Sequence, residues 1–478
     1  MFIIYNEAIE KAMREDPYIP PPDALTLTAT SDNSSVRLNK VGELLNTFEV
    51  DTGKGWTPYN LGTPITRNRG ETVKFRCVNH PTTQSATEYI NFEMSGVFEA
   101  SGDCNSLLSP NYASIRSLNG YRYAFFKLFL DCGSLTTAPA LPATTLEDSC
   151  YNSMFLGCTS LAQAPALPAT TLADYCYSSM FNNCTSLTEA PALPATTLAN
   201  YCYVCMFQGC TSLTEAPALP ATTLASDCYS YMFLRCTSLT QAPALPATTL
   251  ADSCYAGMFE GCTSLAQAPA LPATALKPYC YAFMFSGCTS LTEAPALPET
   301  TLAYGCYNKM FSGCTSLTEA PVLPATTLAE YCYSYMFSGC TSLTKAPALP
   351  VTTLYKDCYS DMFRDCTSLT QAPALPATTL ANYCYNNMFN GCTSLTQAPA
   401  LPATTLYKSC YSYMFYDCSS LNEVRCHMPS SYSASDISSY AEGWLSNVAS
   451  TGTFYTNADA NWTSGVSGIP EGWTRLPL

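Results

Sequence analysis

The unit CYxxMFxxCTSLTxAPALPATTLxxx recurs with a strict period of 26 residues. One register runs through Cys132, Cys158, Cys184, Cys210, Cys236, Cys262, Cys288, Cys314, Cys340, Cys366, Cys392 and Cys418, with no residue inserted or lost. A period between 20 and 50 residues marks a stacked array, because one such unit cannot bury its apolar face alone and must share a core with its neighbours. The 478 residues exceed the ~250–300 at which one globular core stops growing. A solenoid escapes that limit, since each unit touches only the next. The chain is expected to present a surface that binds rather than a pocket that catalyses.

Around the array the sequence changes character. Residues 1–22 combine a short amphipathic stretch with the run PYIPPP, which cannot continue a helix, and read as a tether and linker. Residues 23–100 alternate apolar and polar positions (Leu25, Leu27; Val36, Leu38; Phe48, Val50; Val73, Phe75, Cys77) between turn signals, the pattern of a small N-terminal β-sandwich. Residues 101–131 form an N-terminal cap leading into the repeats, and 132–421 are the array. The tail, 422–478, lacks the repeat. Its Trp444, Leu445, Phe454, Trp462 and Trp473 are expected to cover the open end as a C-terminal cap.

Within one unit, the spacing predicts a helix over 172–181, with Thr171 as N-cap and Asp174 in its first turn. At 100° per residue the recurring Leu172, Cys176, Tyr177, Met180 and Phe181 fall on one side, and the changing positions 174, 175, 178, 179 and 182 on the other. The core ladder is then Leu172, Cys176, Met180, Phe181, Cys184 and Leu187. Glycine at 157, 209, 261, 287, 313, 339 and 391, with Asn183 in another copy, reads as the left-handed stop of each helix. In CTSLTEAPALP, Leu187, Ala190 and Ala192 keep an L-x-x-A-x-A spacing, but Pro191 cannot donate to a ladder, so strands of at most about four residues are expected. Helices need ~8–10 Å where strands need ~4.8 Å, so the solenoid should curve with its helices outside. The expected class is an α+β repeat protein.

Charge excludes some partners. The net charge is −15 and only 12% of residues are charged, which argues against nucleic acid and against anionic membranes. No apolar run reaches the ~18 residues of a membrane span. The start, MFIIYNEAIEKAMRED, lacks the pattern of a secretory signal. Twenty-three of the 27 cysteines are two repeat positions copied along the chain, the others being Cys77, Cys104, Cys205 and Cys426. Their spacings of 8 and 18 do not suit a zinc site, and buried free thiols are expected, with disulfides as the alternative. His80 and His427 stand in different parts of the chain, and no nucleophile–base arrangement appears. No catalytic residue, cofactor or metal is expected.

Two columns could meet a partner. The column Gln163, Glu189, Glu215, Gln241, Gln267, Glu293, Glu319, Lys345, Gln371, Gln397 on the strand side reads as a solvated ladder. The changing positions beside each CY pair hold mainly Tyr, Ser, Asn, Asp and Gly, close to the composition of antibody paratopes. Tyr175, Tyr201, Tyr231, Tyr279, Tyr331, Tyr335, Tyr383 and Tyr413 are the candidate contact residues, with drift on an exposed face as the alternative.

MFxxCTSLT every 26 residues resembles the BspA-like leucine-rich repeats, a surface-protein repeat of gut and oral bacteria and of some of their phages, over roughly residues 120–421. The tail WLSNVASTGTF…GIPEGW and the front β-domain also resemble parts that accompany such repeats. The resemblance implies a curved leucine-rich-repeat solenoid and a non-enzymatic adhesion or recognition protein. Its expected setting is a bacteriophage tail or tail fibre, with the N-terminus attached to other virion proteins and the array meeting a host-surface glycan or protein. A bacterial cell-surface adhesin is the alternative, an accessory module of a glycan-active system a further one, and a homo-oligomer is compatible with either setting.

Overall fold

The computed structural model describes residues 23–43, 46–79 and 84–478. The tether expected at residues 1–22, and His80, lie outside the described residues.

The alternating front of the chain folds as two sheets. Strands β1 (Leu25–Ala29), β3 (Phe48–Asp51), β4 (Trp56–Tyr59), β6 (Thr72–Cys77), β8 (Phe98–Ser101) and β9 (Leu135–Thr137) form one, in the order β4-β3-β6-β1-β8-β9. Strands β2 (Ser34–Val41), β5 (Ile65–Arg67) and β7 (Tyr89–Ser95) form the other, in the order β5-β2-β7. Their apolar faces meet where Phe75 of β6 packs edge-on to Phe92 of β7, ring centroids 5.2 Å apart. All pairings are antiparallel except β8 with β9, and β9 belongs to the first rung of the array. The front domain is therefore joined to the solenoid by backbone pairing as well as by packing. Phe92 also stacks on Phe129 at 5.1 Å, so a ring of the β-domain begins a column that continues through the array.

The array is a repeat solenoid, but no rung carries the helix that the spacing predicts. Residues 173–184 form a run of tight turns. The N–H groups of Cys176, Ser178, Met180, Asn182 and Cys184 bond back three residues, at 3.0–3.3 Å. Those of Tyr175, Tyr177, Ser179, Phe181 and Asn183 instead bond across to carbonyls of the next rung, at 2.7–3.1 Å. Every fourth residue takes a left-handed backbone: Tyr175 (φ 56°), Ser179 (54°) and Asn183 (58°), and so on through the array. The side chains therefore repeat every four residues rather than every 3.6. The pairs Cys176–Tyr177 and Met180–Phe181, with Cys184, face inward together, while Leu172 is only half-buried. An α-helix satisfies its own backbone; here half of the donors need the neighbouring rung, so no rung is complete alone.

The core consists of columns. Phenylalanines from Phe129 to Phe415 stack at 5.4–5.8 Å. Tyrosines from Tyr151 to Tyr411 stack at 5.7–6.2 Å. These spacings are far below the ~8–10 Å of packed helices. The mismatch between helix and strand packing that would force a tight arc is therefore absent. On the opposite side, strand pairing shrinks to single bridged residues such as Gln163–Glu189 and Glu189–Glu215, because proline follows two residues later. Thr171, expected to cap a helix, is instead bridged to Thr145.

At the far end the ladder runs on. Gln397 bridges to Glu423, which opens β10 (Glu423–Cys426), and β10 pairs in parallel with β11 (Gly452–Thr456), which pairs with β12 (Trp473–Pro477). Between them lies the α-helix α1 (Ala434–Tyr440), closed by a capping box of Ser433 and Asp436. Trp444 and Trp462 stack at 5.0 Å over the end of the tyrosine column, where Trp444 lies 6.2 Å from Tyr411. Trp444, Leu445, Phe454, Trp462 and Trp473 are all buried. No helix among the described residues is long and apolar enough to cross a membrane.

All 27 cysteines are free, and Cys205 alone is not buried. Eleven of the twelve in the Cys132–Cys418 register donate their S–H to a phenylalanine carbonyl of the preceding rung, as Cys184 does to Phe155 at 3.2 Å, and the first, Cys132, donates to Phe92 of β7. Burial pushes the Cys176 and Cys184 thiols up to about 12, and the less buried Cys205 to about 11. Since the thiolate is the reactive form, iodoacetamide at pH 8 should label Cys205 first and leave the ladder intact until the chain is denatured. Mass spectrometry of the labelled protein reads this directly. Rapid labelling of several ladder cysteines in the native chain would contradict it. The sign of the pH effect follows from linkage. The unfolded chain releases thiol protons near 9, the folded chain holds them to about 12, and stability therefore falls as pH rises through that window.

Candidate recognition face

The turn side of the array carries two columns of left-handed residues that change from rung to rung. One holds Tyr175, Tyr201, Asp227, Ser253, Tyr279, Gly305, Tyr331, Asp357, Tyr383 and Ser409; the other holds Ser179, Cys205, Tyr231, Gly257, Phe283, Lys309, Tyr335, Asp361, Asn387 and Tyr413. This backbone accounts for part of the composition. Asn, Asp and Gly tolerate a positive φ, and β-branched residues do not; no Val, Ile or Thr occurs in either column. Tyrosine has no such tolerance. At a left-handed position a Cβ costs on the order of 1 kcal/mol that glycine avoids, yet all eight candidate tyrosines stand at φ between 53° and 59°.

The tyrosine side chains lean along the array onto the next rung and do not project straight outward. Tyr175 lies parallel to Tyr201, centroids 4.6 Å apart. Tyr231 covers Gly257, Tyr279 covers Gly305 and Tyr413 covers Gly443; a side chain at any of these glycines would meet the ring. Where the next rung offers a carboxylate, the hydroxyl lies beside it, as Tyr201 beside Asp227, Tyr331 beside Asp357 and Tyr335 beside Asp361, and Tyr413 donates to Glu442 at 3.0 Å. Burial raises the Asp361 carboxyl above the usual range despite hydrogen bonds from Ser360 and Tyr335 and the nearby Arg364. The Asp227 charge is the main cause that raises the Tyr201 hydroxyl. Tyr175 and Tyr279 are exposed; Tyr201, Tyr231, Tyr331, Tyr335, Tyr383 and Tyr413 are half-buried. The structure thus assembles the eight into tiled rows.

Tyr304, which is not among the eight, completes the longest exposed row. It meets Tyr279 at 5.2 Å and Tyr331 at 5.5 Å. Close by, the Lys309 ammonium sits 5.3 Å from the Phe283 ring and 4.9 Å from Tyr335, and Lys356 sits 5.3 Å from Tyr331. The signal for Tyr304 is its place directly before the left-handed Gly305, which the Tyr279 ring covers. Among the described residues no three His, Cys, Asp or Glu side chains gather to hold a metal ion.

Residues 228–370 and 358–448 match the family model of the BspA type leucine rich repeat region, in six copies. No protein of curated function matches the chain. Among solved structures, the chain is similar to TLR13 in its complex with ssRNA13, at 15% identity over 74% of this chain, with a TM-score of 0.25. That match spans about half, 52%, of the TLR13 chain. It is also similar to the functional domain of InlJ from Listeria monocytogenes, described as including a cysteine ladder, at 15% identity over 76% of this chain and 75% of that one, with a TM-score of 0.19. Over residues 228–448 the array is similar to the BspA type leucine rich repeat region.

Proposed function

We propose that this chain is a non-enzymatic recognition protein whose array meets a host-surface glycan or protein through the tyrosine-tiled turn face. The observation that carries the reading is the placement of tyrosine at left-handed positions. Glycine would relieve the backbone there, and the core columns do not need the tyrosines. A residue kept against its conformational preference points to a use for its side chain, and tyrosine supplies a large ring and a hydroxyl at little entropic cost. The carrier we propose is a bacteriophage tail or tail fibre, to which residues 1–22 attach, with the front β-domain, read as a small sandwich, as spacer. The alternative carrier is a bacterial cell surface, the setting that the family match favours. Fluorescently labelled full-length chain should adsorb saturably to cells of the target bacterium and be competed by unlabelled chain. Proteomics of purified virions and of cell-surface fractions from the producing strain separates the two carriers. Adsorption that is absent or non-saturable on every strain tested counts against recognition itself.

A further inference from the structure

The other side of the array differs in kind, because its A-P-x-L-P segment recurs on every rung. Five grooves of about 270 to 690 Å³ lie between successive A-P-A-L-P segments, all on the strand side. Their walls are alanine, proline and the edge of a buried leucine. Each segment holds two prolines, and so offers five carbonyl oxygens against three N–H donors. Among the described residues, 191–195 make no backbone hydrogen bond to a neighbouring rung. The groove floor is therefore rich in free acceptors. The rim adds more, since the column beside the grooves is Gln or Glu on every rung but those of Thr137 and Lys345, and is exposed at Glu189, Glu215, Glu293 and Glu319. Lys345 is its one cation, next to Val322, which is 80% exposed in the largest groove.

We infer that this face binds a linear polysaccharide without carboxylate or phosphate groups, laid along the array axis. Three features point to that occupant. An acceptor-rich, acidic rim complements hydroxyl or amine donors and repels polyanions. Shallow alanine and proline walls suit the C–H faces of sugar rings better than the side chains of a folded protein, which would need deeper anchoring pockets. The same A-P-x-L-P segment returns on each rung, ~4.8 Å on, so the matching partner also repeats. A peptide would need donors and acceptors in alternation, and the segment does not offer them. This surface is distinct from the tyrosine rows, whose chemistry changes from rung to rung.

Titration calorimetry on the full-length chain tests the inference with cellohexaose, a chitosan hexamer and polygalacturonate. Cellohexaose or the chitosan hexamer should bind, with more than one hexamer per chain because the groove is repeated, and cellobiose should bind at least about tenfold more weakly. A variant carrying E189K, E215K, E293K and E319K, all exposed positions, should lose about tenfold or more in affinity at unchanged Tm. Tyr175→Ser with Tyr201→Ser should leave saccharide binding as it was. Binding of neither saccharide, binding of polygalacturonate alone, or binding that survives the four lysines and disappears with the tyrosines would overturn the inference. Adsorption through the tyrosine face is read separately, on cells.

Discussion

Phe259→Ala should destabilise the array by about 3–5 kcal/mol, the range for truncating a buried aromatic side chain. Phe259 is wholly buried and stacked between Phe233 at 5.7 Å and Phe285 at 5.8 Å. The loss reaches beyond one cavity. The Phe259 N–H donates to Met284 and its carbonyl accepts the Cys288 thiol, so one residue ties together the backbone and side chains of consecutive rungs. In an array whose units depend on their neighbours, a weak interior rung weakens the coupling on both sides. Urea unfolding should show either a large drop in midpoint or a second transition as the two flanks separate. A change below about 1 kcal/mol, the centre of ordinary point-mutant effects, would mean that the columns do not hold the array together.

Far-ultraviolet circular dichroism should lack the double minimum of a helical protein. The only α-helix among the described residues is α1, seven residues long. A helix in every rung would instead dominate the spectrum. The two accounts share the same buried residues, so mutagenesis of the core cannot distinguish them, and backbone spectroscopy can. A strong helical spectrum would contradict the turn ladder and restore the helix expected over 172–181.

The sequence placed Cys176, Tyr177, Met180 and Phe181 inward, where the structure has them, but it put position 178 outward, where Ser178, Ser230, Ser334, Ser360 and Ser412 are buried, and it misjudged the backbone. At 100° per residue Cys176, Tyr177, Met180 and Phe181 fall on one side of a helix, and at 90° they fall on one side of a four-residue turn spiral. The two periods part at Cys184, which lies 80° from Cys176 on a helix and directly in line with it in the spiral. Cys184 is fully buried in line with the rest. A second signal was the glycine column at 157, 209 and 261. It reads as a helix stop, but it is the third of three left-handed positions, and the Asn, Asp, Ser and Gly at the other two carry the same message. The prolines were easier to read: they limit the strand side to single bridges wherever the repeat is regular.

The candidate site was legible in outline only. The rung-to-rung changes identify the turn face, and all eight tyrosines lie on it. That their rings lie along the rows depends on the residue one rung further on, such as Gly257 below Tyr231 or Asp361 below Tyr335. Such a relation, 26 residues apart, becomes visible only when rungs are aligned in space. The paratope-like composition also has two sources. Asn, Asp and Gly answer to the backbone, which leaves the aromatic residues as the part that needs a partner to explain it.

The measurement closest to the central claim compares adsorption to target cells of the wild-type chain with that of a variant carrying Tyr279→Ser, Tyr304→Ser and Tyr331→Ser. These three form one row, exposed at Tyr279 and Tyr304 and half-buried at Tyr331, outside the buried columns. Serine is already found at left-handed positions such as Ser253 and Ser409. If the row carries contacts of hot-spot strength, each worth about 2 kcal/mol or more, the variant should adsorb at least about a hundredfold more weakly at nearly unchanged Tm. Unchanged adsorption by a folded variant would contradict the account and leave the turn face as a solvated surface.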